Sequence, residues 1–190
     1  MKNTLTLKKM YLMFKTIRNH RKWVRYYCFL AHIPWRGITH DLSKYSPVEF
    51  FESARFYNGK ESPINVAKRE QGYSLAWLHH RGHNKHHNLY WYDNIEEGGK
   101  PLLMPEKDFI ELVCDWLGAC HTYNTEFSYY NEYVWWKKKR ATCAIHEKHK
   151  IMLDIIFSDL AALERAKYNN ATPEQLIRCG YLQGIYRANI

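Results

Sequence analysis

The sequence predicts an all-α fold with a single domain. Apolar residues recur at three- and four-residue steps over most of the chain, as on the buried face of a helix. No stretch shows the two-residue alternation of a half-buried strand, and no internal repeat is present. The chain has 190 residues, 46% of them hydrophobic and 16% aromatic, which favours a packed core over disorder. We expect a helical domain at 1–166 and a helical tail at 167–190 that packs on it or extends it.

The first helix is predicted from about residue 7 to residue 31. Its apolar stripe consists of Met13, Ile17, Val24 and Tyr27. His20 lies on the same stripe, so its imidazole is expected to face the core. Pro34 and Gly37 are expected to interrupt the helical pattern before a short segment, ITHDLSKY.

A helix over 47–57 is predicted by its start signal. Ser46 supplies a capping hydroxyl, Pro47 suits the first helical position, and Glu49 would complete a capping box. A loop containing an Asn-Gly pair and a proline follows, and residues 64–80 are predicted as the next helix.

The second half of the chain contains three more predicted helices. A glycine- and proline-containing loop at 93–105 precedes a helix with Asp115 beside its apolar stripe. A long helix is predicted over 145–166. Thr172 opens the last helix by the same capping logic as the helix at residue 47.

Charge and cysteine content narrow the classes of partner and compartment. The net charge is +9 and the pI about 9.2, which favours anionic partners such as nucleotides, phosphate esters or nucleic acid; the alternative is a solvated basic surface. The five cysteines form no CxxC pair, so we expect reduced core thiols in a cytoplasmic protein. The N-terminal segment has neither a signal-peptide core nor a membrane span, so no membrane association is expected.

Five of the eleven histidines lie in one short segment, LHHRGHNKHHNLYW. On a helix, His80, His83 and His87 could converge on one face. The alternative face would carry His79, His83 and His86. Imidazoles accompanied by carboxylates and no thiolates favour a hydrolytic or redox metal site over a structural zinc site. The alternative is a basic aromatic surface on which the histidines only form hydrogen bonds.

The segment HDLSK, residues 40–44, resembles the HDxGK-type signature of the HD-domain metal-dependent phosphohydrolases, an all-helical superfamily. The remaining elements follow in the order of that superfamily: His20 upstream, the His40-Asp41 pair, the histidine cluster, and then Asp115. Ser43 stands in place of the glycine, and the spacing from His20 to His40 is short for the superfamily. The resemblance implies an HD-domain-like helical bundle.

A closer similarity covers most of the chain. The motifs HDLSKYSPxEF, WLHHxxxNxHHxxYW and DWLGA look like an uncharacterised domain family known from bacterial and phage genomes. That similarity implies no activity.

The superfamily resemblance also implies a ligand set. One or two divalent ions are expected, with iron, manganese, zinc and nickel left open. The implied metal ligands are His20, His40, Asp41, Asp115 and members of the cluster at 79–87, of which we favour His80, His86 and His87. Asp41 would bridge two ions, because a carboxylate has two oxygens to offer and an imidazole does not. Lys44 would lie near the substrate phosphate, so Asp41 and Lys44 are the candidate catalytic residues.

Each candidate also has a purely structural interpretation. His20 could be a hydrogen-bonded core histidine, Asp115 a solvated helix acid and Lys44 a surface lysine. His146 and His149 are taken as surface residues, and the basic run 137–140 as a solvated helix face. Four rings near the cluster could stack a nucleobase or belong to the core: Trp77, Tyr90, Trp91 and Tyr92.

The leading functional prediction is a metal-dependent phosphohydrolase that acts on a nucleotide or another small phosphate ester. One alternative is a non-catalytic protein of the same fold that binds a nucleotide or a partner. A further alternative is an HNH-like nuclease, suggested by the mixture of histidines and asparagines in HHRGHNKHHNL. The oligomeric state is not predicted.

Overall fold

The computed structural model describes residues 4–123, 126–166 and 171–190. In these ranges the chain is predominantly helical with almost no strand, which confirms the all-α prediction. The α-helices are α1 (Leu7–Leu30), α2 (Pro34–Thr39), α3 (Pro47–Phe56), α4 (Pro63–Gln71), α5 (Leu75–His83), α6 (Glu106–Tyr123), α7 (Tyr129–Lys139), α8 (Glu147–Arg165), α9 (Pro173–Arg178) and α10 (Tyr181–Ala188).

Short elements connect these helices. Four 3-10 helices occupy Leu42–Tyr45, Asn88–Trp91, Ile95–Glu97 and Arg140–Thr142. In the described ranges the only strands are β1 (Tyr92–Asp93) and β2 (Lys100–Pro101), which pair antiparallel with Tyr92 opposite Pro101 and Asp93 opposite Lys100. This ladder is too short to form a sheet layer, so helix packing alone builds the core.

Helix α1 packs closely against α6. A Cβ added at Gly118 would lie 2.5 Å from Val24 Cγ2 and 3.0 Å from the Val24 backbone nitrogen. Only glycine allows this approach. Because His20 precedes Val24 by one turn on α1 and Asp115 precedes Gly118 by nearly one turn on α6, the same contact brings these two side chains together.

The segment around residue 34 differs from the prediction. Pro34 does not end helical structure but begins α2, where its missing N–H is no loss. Gly37 lies inside α2, and a Cβ there would be 2.7 Å from Cys28 Cβ. The glycine therefore serves the packing of α2 on α1 and does not interrupt α2; the break in helical structure lies at residues 31–33, between α1 and α2.

The single helix predicted over 64–80 is also wrong, because it is two helices. Gly72 ends α4 in the left-handed conformation, with φ of 84°. Ser74 then caps α5 by accepting a hydrogen bond from the backbone N–H of Trp77.

The last predicted helix is likewise divided. The capping box of Thr172 and Gln175 is present, as predicted, but α9 ends at Arg178, and Gly180, at φ 83°, separates it from α10. Three side chains of these helices join the large hydrophobic cluster that α1, α6 and α8 share: Ile177, Leu182 and Tyr186.

Two other expectations bear on the surface and the thiols. None of the helices in the described ranges has the length and apolar character needed to cross a bilayer. In the described ranges, which include all five cysteines, none of them forms a disulfide bond; four are buried, but Cys179 is exposed and so is not the core residue that was predicted.

Candidate metal centre

Asp41 lies at the centre of the site. Its backbone is left-handed, with φ 56° and ψ 27°, at the point where the chain turns from α2 into the 3-10 helix Leu42–Tyr45. Aspartate is one of the few residue types besides glycine that adopt this conformation readily. The turn directs the carboxylate inward, and its side chain is 0% exposed.

One group of candidate ligands surrounds Asp41 Oδ2. His20 Nε2 lies 3.2 Å from Asp41 Oδ2 and 3.0 Å from Asp115 Oδ1. His40 Nε2 lies 3.2 Å from Asp41 Oδ2 and 3.4 Å from Asp115 Oδ1. The four residues are buried, and their ligand atoms all lie within 4.8 Å of one another, so the group could hold a metal ion.

A second group faces the other oxygen of Asp41. His80 Nε2 lies 3.3 Å and His86 Nε2 3.5 Å from Asp41 Oδ1. The ring of His87 is centred 4.6 Å from that of His80 and 4.2 Å from that of His86. Together with Asp41, these three buried histidines form another set whose ligand atoms lie within 4.8 Å of one another. The structure thus brings together all seven residues predicted as ligands.

The sequence predicted that the clustered histidines converge on one helical face. In the structure they converge in a different way. Helix α5 ends at His83, so His86 and His87 reach the site from the segment after the helix. His83 is exposed, its Nδ1 lies 2.8 Å from the carbonyl oxygen of His79, and its ring stacks on the His79 ring at 3.9 Å. His79 and His83 therefore stand outside both ligand groups.

Two carboxylates that were not predicted as site residues orient these imidazoles. Glu111 Oε1 lies 2.9 Å from His40 Nδ1 and 3.1 Å from His86 Nδ1. Glu49 Oε2 lies 2.8 Å from His80 Nδ1. A hydrogen bond donated by Nδ1 leaves the lone pair on Nε2, the atom that faces Asp41, and such carboxylate–histidine pairs are common around protein metals.

The carboxylate of Glu49 corrects one prediction. Ser46 caps α3 and Pro47 begins it, as expected, but Glu49 does not close a capping box. Its side chain instead spans His79 and His80, with Oε1 2.7 Å from His79 Nδ1. The histidines compete successfully for this carboxylate because the pairing is buried, whereas a capping box serves an N–H that water can also reach.

The signal for Glu111 was present in the sequence. It precedes Asp115 by four residues, so both carboxylates lie on one face of α6. Arg36 Nη1 lies 2.7 Å from Asp108 Oδ1 and 3.3 Å from Glu111 Oε2, which fixes the second oxygen of Glu111.

Burial and neighbouring charges shift the pKa values of the candidate ligands in different directions. Burial alone would raise the pKa of Asp41, but His40 and Lys44 hold it well below its usual value. Burial alone would lower the pKa of His40, but Asp41 and Asp115 raise it. Burial, together with His86 and His80, keeps the pKa of His87 well below its usual value. His87 is thus neutral near pH 7, which is the form of imidazole that binds metal.

Unpaired buried atoms support a metal ion at this site. Among the residues that the structure describes, Asp41 Oδ1, His86 Nε2 and His87 Nε2 are buried and find no hydrogen-bond partner. Leaving one such group unpaired costs about 1–3 kcal/mol. All three belong to the second ligand group, and a divalent cation would satisfy them together.

Lys44 is not the surface lysine of the alternative interpretation. Its Nζ lies 2.6 Å from Asp41 Oδ2, and its side chain is 22% exposed. Burial alone would lower the pKa of Lys44, but Asp41 raises it, so the ammonium stays charged.

Next to the ligand groups lies a cavity of about 480 Å³. Its wall on the ligand side consists of His20, Lys44, His80, His87 and Asp115. The outer wall includes Trp77, as one alternative expected, but Tyr90, Trp91 and Tyr92 are not among the lining residues. A small molecule in this cavity would touch both ligand groups.

Two other predicted residues stand away from the centre. His149 is fully buried and stacks on Phe109 with ring centroids 4.6 Å apart, so its assignment as a surface residue is wrong. The reason is that it lies on the apolar face of α8. His146 caps the same helix by accepting a hydrogen bond from the backbone N–H of Lys148.

The fold and the site define an all-α protein whose buried histidine and aspartate groups could hold metal ions. The chain belongs to a family described as a family of unknown function (DUF5662), which matches residues 9–159. This span contains every candidate ligand and ends within α8. No curated protein and no solved structure matches the chain.

Proposed function

We propose that this protein is a metal-dependent phosphohydrolase of the HD-domain type, acting on a nucleotide or another small phosphate ester. One observation carries the proposal. The two oxygens of Asp41 face two different histidine groups, with Oδ2 towards His20 and His40 and Oδ1 towards His80 and His86. A single carboxylate between two such groups is the arrangement that a dinuclear hydrolytic site requires.

The donor set fits two divalent ions. His20, His40 and Asp115 would hold one ion with Asp41, and the second group would hold the other. Imidazole and carboxylate ligands suit iron, manganese, zinc and nickel alike. Bound cations of this kind make water a competent nucleophile near neutral pH and neutralise the phosphate oxygens.

The chain supplies the rest of the chemistry. Lys44 lines the cavity and carries a charge beside Asp41, so its ammonium can donate hydrogen bonds to a phosphate oxygen as negative charge builds up there. Glu49 and Glu111 hold the imidazoles in one tautomer and one orientation. The cavity of about 480 Å³ is large enough for a nucleotide-sized ligand.

The nuclease alternative has less support. An HNH site needs two strands and a helix around one ion, whereas His79 and His80 lie on α5 and the strands of the described ranges are two residues long. That interpretation also leaves Asp41 and Asp115 without a role. A non-catalytic binding protein would use the same site. A measurement of substrate turnover separates this alternative from a phosphohydrolase.

The test combines metal analysis with hydrolysis. The full chain would be purified, its iron, manganese, zinc and nickel content measured, and hydrolysis of p-nitrophenyl phosphate and bis-p-nitrophenyl phosphate followed with each metal. We expect about two ions per chain in the wild type. His40→Ala and Asp41→Ala should lose metal and turnover, while His83→Gln, a histidine outside both groups, should retain them.

Two results would overturn the proposal in different ways. If the metal content is unchanged in both His40→Ala and Asp41→Ala, the assignment of the metal centre is contradicted. Full metal occupancy with no hydrolysis of these esters or of nucleotides, but with thermal stabilisation by nucleotides, would assign the protein to the non-catalytic alternative.

A further inference from the structure

A second cavity, of about 330 Å³, adjoins the metal centre. It shares four lining residues with the cavity at the ligand groups: Trp77, His87, Trp116 and Trp135. Since His87 is a candidate ligand, a molecule that reaches the metal centre through the first cavity can extend directly into the second. We call the second cavity the tryptophan cleft.

The walls of the tryptophan cleft are aromatic and firmly held. The Trp77 ring is centred 5.0 Å from that of His87. Trp116 lies edge-on to Trp135 at 5.1 Å and stacks on Phe157 in the core at 6.3 Å. Trp135 is nevertheless 40% exposed. Rings that are anchored on one side and open on the other are suited to stacking against a planar ring.

The lining of the cleft is positively charged. Lys68 Nζ lies 4.6 Å from the centre of the Trp77 ring, and Lys139 lines the same space. The lining, as far as the described part of the chain forms it, contains no aspartate or glutamate. Burial and the neighbouring positive charges of Arg81 and Lys139 lower the pKa of Lys68. A bound anion would offset this repulsion, and two ammonium groups supply up to six donors for it.

We propose that the tryptophan cleft binds the base and the second phosphate of a nucleoside bisphosphate, whose other phosphate lies at the metal centre. The inference rests on the proposed function and specifies its substrate class. The order of groups along the protein is candidate metal ligand (His87), aromatic wall (Trp77), ammonium (Lys68). In the ligand, the ribose joins all three groups, with the base on one carbon and a phosphate on each of two others, so the base can stack in the aromatic cleft while one phosphate lies at the metal centre and the other at Lys68.

The reaction would be hydrolysis at the metal centre only. The oxygen of water forms a bond to phosphorus, the ester P–O bond breaks, and a proton passes to the leaving oxygen. The products are inorganic phosphate and a nucleoside monophosphate, whose remaining phosphate stays at Lys68 and Lys139 until release. No oxidant or further reactant is required.

The test measures binding to the metal-loaded full chain by calorimetry. The ligands are adenosine 3′,5′-bisphosphate, adenosine 5′-monophosphate, ribose 5-phosphate and inorganic phosphate. We expect the bisphosphate to bind about tenfold or more tighter than the monophosphate. Lys68→Gln combined with Lys139→Gln should abolish that difference, because the bisphosphate then loses the contact for its second phosphate. Lys137→Gln combined with Lys138→Gln, two exposed lysines outside the cleft lining, should preserve it.

A matched pair of variants tests the aromatic wall. Trp135→Ala should reduce the preference for adenosine 5′-monophosphate over ribose 5-phosphate by about tenfold. Tyr130→Ala should not, although Tyr130 lies on the same helix and is also 40% exposed.

The failures are distinguishable. If the wild type binds inorganic phosphate in a metal-dependent way but does not distinguish the bisphosphate from the monophosphate, the inference is overturned and the proposed function stands. If single-stranded oligonucleotides bind the cleft far more tightly than the bisphosphate, the cleft is a nucleic-acid site and the inference is again overturned. If the wild type shows no metal-dependent phosphate binding at all, the proposed function itself is contradicted, and the inference that rests on it is contradicted too.

Discussion

At the scale of single residues, the site depends on which atoms of each side chain point towards Asp41. The imidazoles of His40, His80 and His86 all present Nε2 to it. Their Nδ1 atoms each contact a buried carboxylate, Glu111 or Glu49. With respect to the two groups around Asp41 these carboxylates are therefore positioning residues, and their contribution can be measured without removing a member of either group.

Glu111→Gln should weaken metal binding. Burial alone would raise the pKa of Glu111, but hydrogen bonds from His40 and His86 lower it to about 2, so it accepts from both imidazoles as an anion. A neutral amide accepts more weakly and cannot enforce the same tautomer on two rings. We expect a loss of about 10- to 100-fold in metal affinity, measured by competition with a chromophoric chelator.

The matched control for this variant is Glu97→Gln, which removes an exposed carboxylate elsewhere in the chain. Equal metal affinity in Glu111→Gln and the wild type would contradict the positioning role.

His80→Gln and His83→Gln should behave differently, although both residues are histidines of the last turn of α5. His80 is buried with Nε2 3.3 Å from Asp41 Oδ1, whereas His83 is exposed and contacts the His79 backbone and ring. His80→Gln should therefore lose close to one ion per chain, and His83→Gln none, by elemental analysis. The same loss in both variants would argue for a ligand set drawn from one helical face.

At the scale of elements, the spacing between α1 and α6 controls the site. His20 and Asp115 approach to 3.0 Å only because Gly118 allows Val24 to come close. Helix propensity would favour alanine at this position, so the glycine is explained by packing and not by local structure. A substitution that pushes α1 and α6 apart should therefore disturb the site.

Gly118→Ala should destabilise the fold and weaken metal binding together. The added Cβ would meet Val24 Cγ2 at 2.5 Å and the Val24 backbone nitrogen at 3.0 Å, and the backbone contact cannot be relieved by a rotamer change. We expect a loss of about 1–3 kcal/mol in the free energy of unfolding, measured by urea denaturation.

Gly184→Ala is the control at this scale, because Gly184 also lies inside a helix but a Cβ there meets nothing within 4 Å. It should stabilise the protein by up to about 1 kcal/mol. If both variants were stabilising, the close approach of α1 and α6 would be wrong.

At the scale of the whole molecule, stability should fall in mild acid. His149 lies in the core between α6, α8 and α10, with its ring 4.6 Å from that of Phe109 and 6.1 Å from that of Tyr186. Burial, with the nearby His146, lowers its pKa from 6.5 to about 4. The unfolded chain therefore takes up this proton at a higher pH than the folded chain does, and its uptake favours unfolding.

The contribution of His149 is fully present above about pH 6.5 and is lost as the pH falls towards 4. The slope in this window is at most about 1.4 kcal/mol per pH unit. His149→Leu should therefore show a smaller drop in the free energy of unfolding between pH 7 and pH 5 than the wild type, measured by urea denaturation at each pH. If the free energy of unfolding drops equally in both proteins between pH 7 and pH 5, groups other than His149 cause the acid sensitivity.

The sequence by itself determined the features that depend on neighbours along the chain. The apolar period of α1, the Ser46 and Thr172 caps and the all-α class follow from local sterics and backbone hydrogen bonding, which a short window already contains. The order of His20, His40-Asp41, the histidine cluster and Asp115 was also visible, because the motifs carry it.

Tertiary structure alone decided which of these residues meet. Whether His83 or His86 faces Asp41 depends on the end of α5 and the path of the chain after it, not on helical spacing. Glu49 reaches the histidines instead of its own N-cap because α3 and α5 pack together. The tryptophan cleft combines rings from α5, α6 and α7. Contacts between residues far apart in sequence are selected by burial and charge pairing in three dimensions, and these have no signature in a local window.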